Sequence, residues 1–179
     1  VVFYDFSEIG KNVPNRLVGG FDDEFQGDMV PRVTYMGSPY SCAFSGKALT
    51  FFSSRNLASP ELVEQRNIEE RIDSVFYSDE YAAAIVRNTN GEYGSRLEVY
   101  KKDGTHVLSK EFNFEYTHAD FDGDLIILYN EDSCRIYNMS GTEKFDATFD
   151  FPVSKIRKGR FPGTLVVTGP QQMQELKLR

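Results

Sequence analysis

The stretch DGDLIILYNEDSCRIYNMSGTEKFDATFDF (residues 122–151) decides the fold, because a second stretch of the chain has the same order of turns and strands. That second stretch is SDEYAAAIVRNTNGEYGSRLEVYKKDGTHVLSKEFNF (residues 78–114). Each begins with a polar turn, continues into an apolar strand, crosses a polar hairpin and returns in a strand that ends in tyrosine, Tyr100 or Tyr137. A turn with glycine and a last strand with phenylalanine follow. The two segments are therefore predicted to be copies of one antiparallel meander.

The turns KKDG and NMSG explain why these segments form hairpins. In them Asp103 or Ser140 precedes Gly104 or Gly141, and a small polar residue followed by glycine supplies the positive φ of a tight turn. Apolar and charged residues alternate in RLEVY (96–100), which places the apolar side chains on one face of a sheet. The unit is thus predicted to consist of antiparallel strands joined by short turns.

Fainter copies flank the two clear ones. VPRVTYMGSPYSCAFSGKALTFFSSRNL (30–57) and VSKIRKGRFPGTLVVTGPQQMQELKLR (153–179) have the same alternation of apolar runs and turns. The chain begins with VVFYDFSEIG (1–10), which matches the end of the strand that finishes in Tyr100 or Tyr137 in the clear copies. An outer strand is predicted at NRLVGGF (15–21). The strands of the flanking copies are predicted near 32–36, 40–45, 48–53, 153–157, 164–168 and 173–178.

The landmark aromatic residues set the period of the repeat. Tyr4, Phe52, Tyr100 and Tyr137 recur roughly every 40–50 residues, and about four strands per period is typical of a β-propeller. The fold class is predicted as all-β, a β-propeller-like array of about four four-stranded antiparallel blades; a β-sandwich or a flat meander is the alternative. We predict a single domain over residues 1–179, divided into a partial blade 1–28, blades 29–70, 71–115 and 116–151, and a partial blade 152–179. Since the array starts and stops in a third strand, it is either a small closed ring or a fragment of a larger propeller.

Composition supports this fold class and excludes some functions. The chain has 15 Phe, 10 Tyr and no Trp, which favours strands. The best helix candidate is SPELVEQRNIEERI (59–72), with Ser59 as its cap and an imperfect apolar stripe. The net charge of −7 disfavours nucleic-acid binding, because an acidic domain repels phosphate backbones. No apolar run reaches the roughly 20 residues that cross a bilayer, so no membrane contact is expected from this segment itself.

Three stretches carry a resemblance to a known family: VVFYDFSEIGKN with NRLVGGF (1–21), DSVFYSDEYAAAIV (73–86) and DLIILYNEDSCRIYNMSGTEKF (124–145). With them the chain resembles an uncharacterised family of bacterial propeller-like domains of unknown function, over nearly its whole length. The resemblance implies a membrane-anchored protein with one N-terminal hydrophobic helix and an extracytoplasmic propeller longer than this chain. These residues would then be its C-terminal half. The resemblance implies no catalytic residues.

The acidic turn DFDGD raises the question of a calcium site. Asp120, Asp122 and Asp124 surround Gly123, but a calcium loop of the EF-hand type continues for twelve residues to a bidentate glutamate, whereas this chain enters the strand LIILY. The other copies carry Ser-Asp-Glu (78–80) and Lys-Gly-Arg (158–160) at this position. A position that is acidic in two copies and basic in the third is interpreted as a solvated turn.

Other candidate residues form no recognisable constellation. His106 and His118 fall at different positions of their repeats, although Asp120 could orient His118. Cys42 and Cys134 lack zinc spacing and are interpreted as small apolar residues of strands. The Gly19–Gly20 pair lacks a phosphate-binding context, and the acidic runs FDDEF (21–25) and NIEER (67–71) are interpreted as solvated faces. No catalytic, cofactor-binding or metal-binding residue is therefore predicted, and no cofactor.

Four tyrosines near predicted loops, Tyr35, Tyr40, Tyr93 and Tyr116, suggest a binding surface, although packing between blades also explains them. The leading hypothesis is a non-enzymatic platform that binds a protein or another ligand. The alternative is an enzyme or binding module acting on cell-envelope carbohydrate, which requires two carboxylates across a pocket. A third hypothesis is a structural module that pairs with another part of its own chain or with itself.

Overall fold

A computed structural model describes residues 1–6, 16–25, 27–88 and 92–178 of the chain. Over these ranges the secondary structure is antiparallel β-strand, apart from one 3₁₀ turn at Asp23–Phe25. The strands form five sheets, in each of which consecutive strands pair. Sheet A contains β1 (Val2–Tyr4) and β2 (Leu17–Gly20); sheet B contains β3 (Arg32–Tyr35), β4 (Tyr40–Phe44), β5 (Ala48–Ser53) and β6 (Glu61–Asn67); sheet C contains β7 (Ile72–Tyr77), β8 (Tyr81–Arg87), β9 (Ser95–Lys101) and β10 (His106–Phe112); sheet D contains β11 (His118–Asp122), β12 (Leu125–Tyr129), β13 (Ser133–Asn138) and β14 (Glu143–Thr148); sheet E contains β15 (Lys155–Lys158), β16 (Thr164–Thr168) and β17 (Met173–Lys177).

The prediction of an all-β array of four-stranded antiparallel units is confirmed. Sheets B, C and D have four strands each, and the described part of the chain adds the two-stranded sheet A and the three-stranded sheet E. The three four-stranded sheets fall within residues 29–70, 71–115 and 116–151. The chain also divides into two compact units, Val1–Arg87 with Val99–His106 and Asn88–Glu98 with Val107–Arg179. The assignment of residues 1–179 to a single domain stays a prediction.

The best helix candidate, residues 59–72, does not form a helix. Residues Glu61–Asn67 form strand β6, which pairs with β5 through the partners Phe52–Leu62 and Ala48–Asn67. Pairing to a fully buried neighbour outweighs the weak local preference for helix. Two other expectations lie partly outside the described residues: Gly10 at the end of the first tyrosine match, and residues 89–91 of the hairpin between β8 and β9.

The turn glycines have the backbone conformation that the sequence predicts. Gly104 has a φ of +82° and Gly141 a φ of +77°, and Gly123 in the acidic turn has a φ of +61°. Left-handed backbone of this kind strains a residue with a Cβ. The hairpins between β9 and β10, β11 and β12, and β13 and β14 therefore depend on these glycines.

Each compact unit has its own apolar core between two sheets. In the first unit, buried side chains of sheets B and C pack together; they include Met36, Phe44, Leu49, Phe51, Val86 and Tyr100. In the second, sheets D and E enclose a core that includes Leu125, Ile127, Cys134, Ile136, Ile156, Leu165 and Val167. The third strand of sheet B is buried on both faces, because Phe51 contacts Tyr100 (6.1 Å between ring centroids) and Phe52 contacts Phe21 (4.9 Å).

The hairpin between β9 and β10 is held by the last strand of sheet B. The guanidinium Nε of Arg66 donates a hydrogen bond of 3.0 Å to the carbonyl oxygen of Gly104, and its Cζ lies 6.0 Å from the Tyr100 ring centroid. A Cβ at Gly104 would lie 2.5 Å from the Cβ of Glu64. Backbone and side chain thus approach too closely here for any residue except glycine.

The hairpin between β13 and β14 repeats this contact with different residues. The ammonium of Lys110 lies 5.7 Å from the Tyr137 ring centroid, and a Cβ at Gly141 would lie 2.9 Å from a methyl group of Leu108. A cation on the fourth strand of one sheet therefore covers the tyrosine of the third strand of the next. This is the packing reason for the tyrosine-to-glycine spacing in the sequence.

We predict that Gly104→Ala destabilises the protein by about 2–4 kcal/mol. The left-handed backbone contributes about 1–2 kcal/mol, and the clash with the Cβ of Glu64 adds the rest because that atom cannot rotate away. Urea unfolding followed by far-UV circular dichroism measures the effect.

Gly163→Ala is the matched control. Gly163 has a φ of +72°, yet nothing lies within 4 Å of the position that its Cβ would occupy. We expect this control to lose only the backbone contribution, about 1–2 kcal/mol. Equal losses in the two variants would show that the close approach at Gly104 contributes nothing.

Candidate functional site

The acidic turn between β11 and β12 is bound by the basic strand β15. A guanidinium Nη1 of Arg157 lies 2.6 Å from Oδ2 of Asp120, and the backbone N–H of Lys158 donates to Oδ2 of Asp122 at 2.6 Å. The ammonium of Lys158 also donates to a carboxylate oxygen of Asp124. All three carboxylates of the sequence motif are therefore engaged by two consecutive residues of sheet E.

This arrangement explains the charges of the turn without a metal ion. The hydrogen bond from Lys158 lowers the pKa of the Asp124 carboxyl, and the one to Asp120 raises the pKa of Arg157. Over the described residues, no group of three His, Cys, Asp or Glu side chains is placed to hold a metal. The interpretation as a solvated turn was incomplete, since Asp120 and Asp124 are held by ion pairs and Asp122 by a backbone N–H.

Lys158 and Asp124 also line a surface depression beside the next hairpin. The hairpin between β15 and β16 has the sequence GRFPG (159–163), and Gly163 takes a φ of +72°. The amide and the hydroxyl of Thr164 both donate to the carbonyl of Phe161, at 3.1 and 2.8 Å. A depression of about 350 Å³ lies against it, lined by residues that include Asp124, Lys158, Phe161, Thr164 and Leu178.

The tip of this hairpin presents a cation and an aromatic ring to solvent. Phe161 is 62% exposed, and Arg160 and Pro162 are exposed beside it. Lys-Gly-Arg (158–160) is considered in the sequence only as the counterpart of the acidic turn, and Phe161 is not singled out there. The sequence does contain a signal for an exposed ring. Phe161 lies in a predicted turn, between basic residues and Pro-Gly, and a turn offers no core position that would bury the ring. We call residues 158–164 the basic hairpin.

A second depression, of about 270 Å³, lies at one end of sheet B. Tyr40, Ser53, Arg55, Asn56, Glu61 and Val63 line it. A guanidinium nitrogen of Arg55 lies 3.5 Å from the Tyr40 hydroxyl, to which it donates. Glu61 is the acidic residue that lines this second depression. Asp124 is the acidic residue that lines the first depression, and its carboxylate accepts a hydrogen bond from Lys158. Neither lining has the pair of carboxylates that glycoside hydrolysis requires.

Neither histidine lines the depression beside the basic hairpin. Nδ1 of His118 is 2.9 Å from the Thr117 hydroxyl, and its ring stacks on Tyr129 with 4.8 Å between centroids. The hypothesis that Asp120 orients His118 is wrong, because Asp120 binds Arg157. His106 packs edge-on against Tyr100 at 5.4 Å.

The four tyrosines divide into two kinds. Tyr35 and Tyr93 are exposed, whereas Tyr40 is half-buried at the second depression and Tyr116 is half-buried against Phe112, at 6.2 Å between ring centroids. Packing thus accounts for Tyr116, and exposure keeps Tyr35 and Tyr93 available for binding.

Both cysteines are free and buried in strands. Burial raises the pKa of the Cys134 thiol to about 12 and that of Cys42 further. They remain protonated at neutral pH, so neither provides a thiolate nucleophile.

Comparison with known proteins places the chain in a family. A model described as a family of unknown function, DUF5711, matches residues 1–178. The chain belongs to the DUF5711 family. A search of curated proteins gives no match for it.

Solved structures similar to this DUF5711 chain are β-propeller proteins. One is described as a mitotic checkpoint complex, with a TM-score of 0.55, 10% identity, and coverage of 90% of this chain and 50% of the other. Another is Kluyveromyces lactis Hsv2, with a TM-score of 0.50, 9% identity, and coverage of 85% and 46%. A third is BBS1N in complex with ARL6DN, with a TM-score of 0.51, 10% identity, and coverage of 84% and 52%.

These likenesses establish the β-propeller-like fold of the DUF5711 chain. The chain spans about half the length of the propeller structures that it matches. Over the ranges 1–6, 16–25, 27–88 and 92–178, no helix is long and apolar enough to cross a membrane.

We predict that Lys158→Met lowers the unfolding free energy by less than about 1 kcal/mol at pH 7, and that this difference disappears on acidification. Because Lys158 lowers the pKa of Asp124, the folded pKa lies below the unfolded value of about 3.9. The pair stabilises the fold above that pH, and its contribution is lost as the pH falls through the folded pKa. Urea unfolding between about pH 7 and pH 2 measures it.

Lys155→Met is the matched control, because Lys155 is an exposed lysine at the other end of the same strand. We expect it to leave the pH dependence unchanged. A Lys158→Met chain that kept the acid sensitivity of the wild type would rule out the contribution of the Asp124 pair.

Proposed function

We propose that this DUF5711 chain is a non-enzymatic binding platform and that the basic hairpin contacts a protein partner. The observation that carries the proposal is the tip of the hairpin, where Phe161 is 62% exposed beside the exposed Arg160. Arginine and aromatic residues dominate the energetics of protein interfaces. Pro162 and the bonds from Thr164 to Phe161 fix the loop, which reduces the conformational entropy lost on binding.

Charge indicates the kind of partner. The chain as a whole carries −7, yet the basic hairpin and its strand concentrate Lys155, Arg157, Lys158 and Arg160 within six residues. Arg157 and Lys158 are engaged by the acidic turn, which leaves Arg160 as the cation at the tip. A partner with an acidic rim around an apolar pocket complements this surface.

We also propose that the protein works outside the cytoplasm of a bacterium and is held by an N-terminal membrane anchor. The family resemblance given under Sequence analysis supports this location. The test is a fusion of alkaline phosphatase to the C-terminus of the gene product, since that enzyme folds to its active form only where disulfides form. We expect an active fusion; an inactive fusion at equal abundance would refute the location.

The interface prediction uses a double variant, Arg160→Ala with Phe161→Ala. We expect affinity capture from the host of origin to recover a discrete partner with the wild-type protein and at least about tenfold less with the variant. Two contact residues of these types contribute about 2 kcal/mol or more each when they lie at the centre of an interface. The measurement is quantitative mass spectrometry of the captured proteins.

Lys155→Ala with Met173→Ala is the matched control. It also removes an exposed cation and an exposed apolar side chain, at the opposite end of sheet E. We expect partner recovery within about twofold of the wild type, a difference below about 0.4 kcal/mol. Undiminished recovery with the hairpin variant would refute the contact surface, as would equal loss in both variants.

A further inference from the structure

A shared irregularity shows which strands of the sheets are equivalent. The register shifts between Phe51 and Phe52 in sheet B, and between Ile136 and Tyr137 in sheet D. In both the fourth strand carries one extra residue opposite the pair, Val63 or Lys144. Such bulges are positional features of a sheet.

Sheet A has the same irregularity at Phe3 and Tyr4. Its second strand carries the extra residue, Val18. Strand β1 is therefore a third strand and β2 a fourth strand, and Tyr4 is the counterpart of Phe52 and Tyr137.

The two residues of each pair point to opposite neighbours. Phe3 packs on Phe52 of the following sheet, with 5.6 Å between ring centroids, and Phe51 packs on Tyr100 of the sheet after that, at 6.1 Å. The second residue of each pair thus faces the preceding sheet. Tyr4 accordingly lies on the face of sheet A that is turned away from sheet B.

Exposure separates Tyr4 from its counterparts. Phe52, Tyr100 and Tyr137 are 0%, 6% and 1% exposed, whereas Tyr4 is 54% exposed. Val2 and Leu17, on the same two strands, are exposed as well. This apolar face of sheet A has the position of a sheet-to-sheet interface but, among the described residues, no sheet covers it.

The buried counterparts of Tyr4 show which type of side chain packs on a ring at this position. Both tyrosines lie under a cation from a fourth strand, Tyr100 under Arg66 at 6.0 Å and Tyr137 under Lys110 at 5.7 Å. The phenylalanine, Phe52, instead lies among phenylalanine rings, such as that of Phe21 at 4.9 Å. The Phe6 ring stacks on the Tyr4 ring at 6.2 Å between centroids, yet both rings stay more than half exposed. Since residue 4 is tyrosine, a cation is the expected cover of this face.

We propose that the Tyr4 face is covered by a further blade of the same polypeptide, outside residues 1–179, whose fourth strand places a Lys or Arg over the Tyr4 ring. A second copy of these residues offers only sheet E at this position, because sheets A, B, C and D pack on the sheets that follow them. The described part of sheet E has three strands and lacks the fourth strand that supplies the covering cation in sheets B and C. This chain covers only about half of the length of the propeller structures that it matches, which leaves room for such blades.

The test places the photoreactive residue p-benzoylphenylalanine at position 4 of the gene product in its own host and maps the cross-links by mass spectrometry. We expect a cross-link within one polypeptide, to a strand outside residues 1–179 that contains Lys or Arg. The same residue at position 93, in place of the exposed Tyr93, is the control and should not give this product.

A stability comparison gives an independent readout. Tyr4→Ser should lower the melting temperature of the whole gene product by at least about 4 °C, because it removes a buried ring, and change the isolated 179-residue chain by less than about 1 °C. A cross-link to a second copy or to another protein would overturn the proposal. So would the lack of a cross-link at position 4, or equal effects of Tyr4→Ser in the two proteins.

Discussion

The structure depends on one constraint: a sheet that is apolar on both faces is stable only between two neighbours. Phe51 and Phe52 are adjacent on one strand and point to opposite sides, yet both are completely buried. An isolated meander of this kind would expose both rings to water, at a cost of about 1.5–3 kcal/mol each. Stability in such an array comes from nearest-neighbour contacts. The contact between consecutive sheets has a polar part and a steric part. Arg66 lies over the Tyr100 ring, and Gly104 leaves space for the side chain of Glu64 on the same neighbouring strand.

Most of the fold could be predicted from the sequence because the repeat supplied independent copies of the same information. Apolar runs such as LIILY and turns such as NMSG have a local cause, so their positions agree with β12 and with the hairpin after β13. Strand β6 could not be predicted in this way. Its residues Glu61–Asn67 have a mixed pattern of exposure, and only pairing with the buried strand β5 makes them extended.

The candidate site was less predictable, for a geometric reason. Aligning the repeats places Asp122–Asp124 and Lys158–Arg160 at equivalent positions, but it does not show that equivalent turns of consecutive sheets are neighbours in space. The charges therefore looked like variation at a solvated position, whereas Lys158 in fact binds both Asp122 and Asp124. The exposure of Phe161 was not predicted, because the exposure of a side chain, unlike the formation of a strand, leaves no periodic pattern in a sequence.

The bulge that sheets A, B and D share has a consequence for how such chains evolve. In these sheets one residue of the pair opposite the bulge faces the preceding sheet and the other faces the following sheet, so the interface joins unlike surfaces. Interfaces of that head-to-tail kind join each unit to the next through the same contact, and the rotation between units decides whether a ring closes. Duplication or loss of a segment of one repeat length would therefore leave each remaining joint chemically intact, without the invention of a new contact.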